Sequence, residues 1–96
     1  MRICYLVAYD ISEDKRLRRV AKVMEEYGSR IQYSVFRCEL TKLMRAMLEA
    51  DLEKEINHSC DQVLFIRLGP VSGRAGKRIY ALGRPYIPPE RDTVVL

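Results

Sequence analysis

The chain is 96 residues long, 48% hydrophobic and 31% charged, with a net charge of +4 at pH 7. That length holds one core, and that balance of apolar and charged residues excludes disorder, collagen-like repeats and long coiled coil. No apolar run reaches the ~18–20 residues that span a bilayer, and MRICYLVAYD meets an acid at Asp10 where a signal peptide would still be apolar, so the chain reads as cytoplasmic, with no membrane partner.

Residues 2–9, RICYLVAY, are almost all apolar and lack alternation, the pattern of a central strand buried on both faces. Ser12 stands where a helix N-cap belongs. Glu13 and Asp14 suit the first turn, and Leu17, Val20, Ala21, Met24 and Tyr27 recur at helical spacing, predicting a helix over 13–27. The stretch RIQYSVFRCEL at 30–40 has strand propensity but is long for one strand, and its polar Gln32-Tyr33-Ser34 segment predicts a break into a short second and a longer third strand.

Thr41 can cap a second helix whose apolar stripe is Leu43, Met44, Met47, Leu48, Leu52 and Ile56, with Asn57 as its stop. QVLFIRL at 62–68 predicts another buried strand ended by Gly69-Pro70. A basic loop at 71–78 then leads to a short strand at 79–82, a proline-bearing tail and a strand-like end at 93–96. The order is βαββαβ with an extra C-terminal β segment. It predicts an α+β, ferredoxin-like sandwich, an antiparallel sheet with two helices on one face. Residues 1–82 make the domain and 83–96 a C-terminal arm. Helices cover only one face, yet the first and fourth strands read as apolar on both, so the open face is expected to pack on a second copy, giving a homodimer with the arm lying on the partner.

Asp10, directly after the buried strand, has two readings. It is a turn or capping aspartate, or it is a magnesium ligand, since magnesium is held by one or two carboxylates plus waters and a phosphate and a two-fold axis would supply the second carboxylate. Basic residues gather early (Lys15, Arg16, Arg18, Arg19, Lys22) and again late (Arg67, Arg74, Lys77, Arg78, Arg84, Arg91). Each group is either a solvated face or a phosphate-binding surface, and the nucleic-acid reading puts Arg16, Arg18, Arg74, Lys77 and Arg78 on the backbone. The segment VSGRAGKRIY is not a Walker loop, because Arg78 follows Lys77 where Ser or Thr belongs. His58, the sole histidine, sits at the end of the second helix where a cation is favoured, and has no nucleophile spaced beside it. Cys4, Cys38 and Cys60 lack the paired spacing of a zinc or redox site and read as small apolar residues. No RNP-type aromatic motif is present, while the tyrosines and Phe36 offer base-stacking groups or core.

YDIS at 9–12, a basic helix ending in Tyr27-Gly28, and RIQYSVF at 30–36 together resemble the CRISPR-associated Cas2 family, with order and spacing matching over roughly the first 40 residues. The resemblance implies a ferredoxin-like homodimer of CRISPR spacer acquisition, active in antiviral defence, that bridges dimers of the Cas1 integrase and contacts captured DNA. Members are also described as Mg2+-dependent endonucleases on single-stranded RNA or double-stranded DNA. By resemblance the metal ligand is Asp10, and Tyr9, Arg19, Arg30 and Phe36 match other positions of the cleft, with Arg19 and Arg30 as charge stabilisers. Arg37 departs from the family pattern, where many members carry an acidic or apolar residue. A non-catalytic DNA-binding spacer fits the same residues, and a toxin ribonuclease of the VapD type shares the fold.

Overall fold

In the computed structural model, residues 1–87 are described; the strand expected at 93–96 and most of the arm lie outside them. The elements are β1 (Ile3–Asp10), α1 (Asp14–Tyr27), β2 (Gly28–Gln32), β3 (Val35–Leu40), α2 (Lys42–Glu55), β4 (Gln62–Pro70) and a 3-10 turn (Ala75–Arg78). The sheet order is β2-β3-β1-β4 and every pairing is antiparallel. This is the ferredoxin-like arrangement, with the largely apolar strand β1 between β3 and β4.

Strand parity decides which side holds the core. Tyr5, Val7 and Tyr9 of β1 and Phe36, Cys38 and Leu40 of β3 alternate with their neighbours, and all pack with Val20 and Met24 of α1 and Leu48 and Leu52 of α2. The cross-strand pairs Val7 with Phe36 and Tyr5 with Cys38 fix that register. Both helices therefore lie on one face. The apolar stripe of α2 is narrower than its sequence suggests: Met44 packs against the core, but Leu43 and Met47 stay 70% and 49% exposed.

The helix starts differ in their chemistry. Thr41 caps α2 as expected, its Oγ1 accepting from Met44 N at 3.1 Å. For α1 the cap is Glu13, whose carboxylate accepts from Lys15 N and Arg16 N. Ser12 is not the cap because a distant carboxylate, Asp61, takes its N–H and hydroxyl. Tyr27 donates to Asp51 at 2.7 Å and ties α1 to α2, a bond that pushes the phenol up to about 12.

The opposite face carries Cys4, Leu6, Ala8 and Asp10 of β1. Leu6 pairs across to Ile66 and Ala8 to Leu64, which are 45% and 48% exposed. This is the uncovered apolar face that the strand pattern predicts. Residues 79–82 do not form the short strand expected there. Residues 79–87 instead return alongside β2, and the buried hydroxyl of Tyr86 lies in the same environment as Arg37 and Cys4 on the uncovered face.

Candidate functional site

Asp10 is the last residue of β1, paired with Gln62, and its side chain is exposed. Alternation with buried Tyr9 sends it to the uncovered face, beside the apolar pairs of Leu6 and Ala8. It thus stands where a sheet of hydrophobic residues ends and water begins. Among the described residues of the single chain, no group of three or more His, Cys, Asp and Glu is placed to hold a metal ion.

The chain after Asp10 is held firmly. Ile11 is buried in the core, and the Asp61 side chain, with no exposure, accepts from Ser12 N at 2.9 Å, Ser12 Oγ at 3.0 Å, Asn57 N at 2.8 Å and Arg16 Nε at 2.8 Å. Asp61 immediately precedes Gln62, the partner of Asp10. One carboxylate therefore joins the segment leaving β1 to the segment entering β4. The Arg16 guanidinium, with the Asn57 and Ser12 N–H groups, holds the Asp61 carboxyl well below the usual carboxylate range.

This network changes the role expected of Arg16. Its guanidinium bonds Asp61 and Ser12, so it acts inside the chain, whereas a phosphate contact would require it to turn outward. Arg19, matched by resemblance to the cleft, pairs with Glu55 of α2 at 3.1 Å. Arg18 is exposed and lines a shallow surface with Lys15 and Lys22 on the outer side of α1. Arg74, Lys77 and Arg78 are exposed around a turn closed by a bond from Lys77 N to Arg74 O and anchored by buried Ala75. The glycine-bearing segment is thus a built turn.

The remaining matched residues form a second group on the helix side of the sheet. Tyr9 and Phe36 are 5% and 1% exposed, with ring centroids 6.1 Å apart. Arg30, opposite Phe36 in the register, lays its guanidinium 5.2 Å from that ring and 6.0 Å from the ring of Tyr33. Burial pushes the Tyr9 phenol up, against the opposing charge of Arg30. Within one chain, then, Asp10 lies on one face and Tyr9, Arg30 and Phe36 on the other. Asp61 is the residue that sequence reasoning passed over, while Tyr33 was named only in the strand break and among the tyrosines that offer base stacking. An aspartate after a helix reads as a turn residue, and its partners at 12 and 16 lie too far along the chain for any local rule.

The model of the family described as CRISPR associated protein Cas2 matches residues 1–72. The CRISPR-associated endoribonuclease Cas2 of Geobacter sulfurreducens is 35% identical over 92 residues, covering 96% of each chain. Among solved structures, Streptococcus pyogenes Cas2 aligns with a TM-score of 0.73 at 34% identity, over 83% of this chain and 99% of that one. A chain of a partial Cas6-RT-Cas1–Cas2 complex aligns with a TM-score of 0.70 at 25% identity, over 85% of this chain and 91% of that one.

Proposed function

The chain belongs to the CRISPR-associated Cas2 family, and from that premise we propose that it works as a homodimer in CRISPR spacer acquisition, partnered with the Cas1 integrase and bound to DNA, with a Mg2+-dependent phosphodiester-cleaving site built from the Asp10 of both protomers. The observation that carries this reading is the position of Asp10: an exposed carboxylate at the end of the central strand, on a sheet face where Leu64 and Ile66 stay nearly half exposed in the single chain. Apposing two such faces buries Leu64 and Ile66 and brings two copies of Asp10 toward one axis.

The donor set suits magnesium, a hard cation held by one or two carboxylates while keeping several waters and taking the rest from a phosphate. Asp10 of each protomer would hold it, and the bound ion would supply a polarised phosphate and an activated water. The chain's own residues do the rest. Asp61, through Ser12 and Arg16, fixes the segment that follows Asp10. Arg18, Lys15 and Lys22 on α1, and Arg74, Lys77 and Arg78 on the 3-10 turn, offer exposed cations for a phosphate backbone, a binding mode that weakens steeply with salt. The names of the relatives support an RNA substrate, and the complex with Cas1 supports the integrase partner.

A second reading, a non-catalytic spacer, is favoured by one observation: of the α1 guanidinium groups assigned to the backbone or the cleft, Arg16 and Arg19 are already paired with Asp61 and Glu55, which leaves Arg18 exposed. Cleavage of labelled RNA and duplex DNA with and without Mg2+ separates the two. Wild type should cut only with Mg2+, and Asp10→Asn should lose at least about a hundredfold in rate while still binding DNA. Activity that persists in Asp10→Asn removes the catalytic reading and leaves the spacer.

A further inference from the structure

Arg30 is exposed on β2, and no carboxylate pairs with it among the described residues. Its guanidinium is nevertheless fixed in place. Phe36, 1% exposed, provides a rigid floor at 5.2 Å, and Tyr33 flanks the same guanidinium at 6.0 Å. Tyr33 itself is 74% exposed in the tight turn between β2 and β3. That turn is not loose: Tyr9 N donates to Ser34 O at 3.0 Å, and a register shift between Arg30 and Gln32 re-aims the strand as it enters the turn. An aromatic ring kept in water on a pinned turn, beside a cation that no carboxylate among the described residues pairs, matches the two surfaces that one unpaired nucleotide offers: a flat base and a phosphate. Arg30 also borders a cleft of about 590 Å³ between β2 and residues 79–87, where Gln32, Tyr80 and Arg84 join it. That volume lies in the range of ligand pockets, and Arg84 adds a second cation.

We propose that Tyr33 and Arg30 form a binding step for one unpaired nucleotide, the Tyr33 ring stacking on the base and the Arg30 guanidinium taking the neighbouring phosphate. The inference rests on the nucleic-acid reading above and adds a preference: this step reads single strands, because a base held in a duplex stack cannot present its face to Tyr33. It lies on the helix side of the sheet, away from the face that carries Asp10. It therefore serves to grip a strand and takes no part in bond cleavage.

The test is fluorescence titration of short oligonucleotides carrying one 2-aminopurine, as single-stranded RNA, single-stranded DNA and a DNA duplex, against wild type, Tyr33→Phe and Tyr33→Ala. Tyr33 is exposed, so both variants fold. Tyr33→Ala should bind either single strand about tenfold more weakly, the scale of one lost stacking contact, with duplex affinity within about twofold of wild type. Tyr33→Phe should restore single-strand binding and the quenching of 2-aminopurine. An equal loss on single strands and duplex, no loss on either, or a loss confined to one sugar type overturns the proposal. If wild type binds no nucleic acid at all, the nucleic-acid reading falls with it. Nucleic-acid binding by wild type with single-strand affinity that does not depend on Tyr33 removes only this step.

Discussion

Asp61 shows how much a single buried carboxylate can organise. Its oxygens satisfy the N–H and hydroxyl of Ser12, the N–H of Asn57 and the guanidinium of Arg16. Because its folded-state pKa is depressed, its stabilising effect is fully present above the unfolded carboxylate value of ~3.9 and is lost as pH falls below that toward the folded value. Thermal unfolding from about pH 6 down to about pH 3 should therefore show a steep acid limb in wild type. Asp61→Asn should melt at least about 5 °C lower at pH 6 and lose less as acid is added. A variant that tracks wild type at both ends would contradict this role. Phe36 gives the complementary case: family resemblance placed it at the cleft, but at 1% exposure it is core. Phe36→Ala should cost about 3–5 kcal/mol in urea unfolding, so loss of function there would report packing first. Phe36→Leu should keep most of the stability, and a Phe36→Ala variant as stable as wild type would put the ring outside the core.

At the scale of the elements, the edge strand depends on one close approach. A Cβ on Gly28 would lie 2.5 Å from the Arg37 carbonyl oxygen and 2.5 Å from Cys38 Sγ, so β2 can pair with β3 only with glycine there. Gly28→Ala should cost about 1–3 kcal/mol by urea unfolding and loosen the β2–β3 turn that carries Tyr33; unchanged stability would mean that β2 does not sit this close. The order of elements was legible because β1, β4 and both helices have strong patterns, and because Gln32-Tyr33-Ser34 interrupts the strand run where the turn forms. Other features escaped for physical reasons. The cap of α1 moved from Ser12 to Glu13 because Asp61 competes for Ser12 across 49 residues of chain. The apolar stripe of α2 was read too wide because periodicity marks apolar positions without saying which of them meet a neighbour. Residues 79–82 have strand-like side chains but no ladder to join. At the site, Asp10 could be singled out from strand-end position and resemblance alone. The separation of Asp10 from Tyr9, Arg30 and Phe36 onto opposite faces needed the register.

The whole molecule is asymmetric, and the proposed homodimer rests on that asymmetry. One face of the sheet is closed by α1 and α2, while the other presents Leu64 and Ile66 nearly half exposed next to Leu6 and Ala8. Leu64→Asp with Ile66→Asp should convert the protein from dimer to folded monomer in sedimentation velocity, with little change in far-UV circular dichroism, because neither side chain belongs to the helix-side core. A variant that still sediments as a dimer would place the interface elsewhere. In the proposed dimer the two Asp10 side chains meet across that face. This apposition is tested most directly by placing Asp10→Cys in a Cys60→Ser background, since Cys4 and Cys38 are buried and Cys60 is the exposed thiol, and treating the protein with a short bismaleimide. A covalent dimer on a denaturing gel is expected, abolished by the Leu64→Asp, Ile66→Asp changes. A protein that sediments as a dimer yet gives no cross-link at position 10 would contradict it.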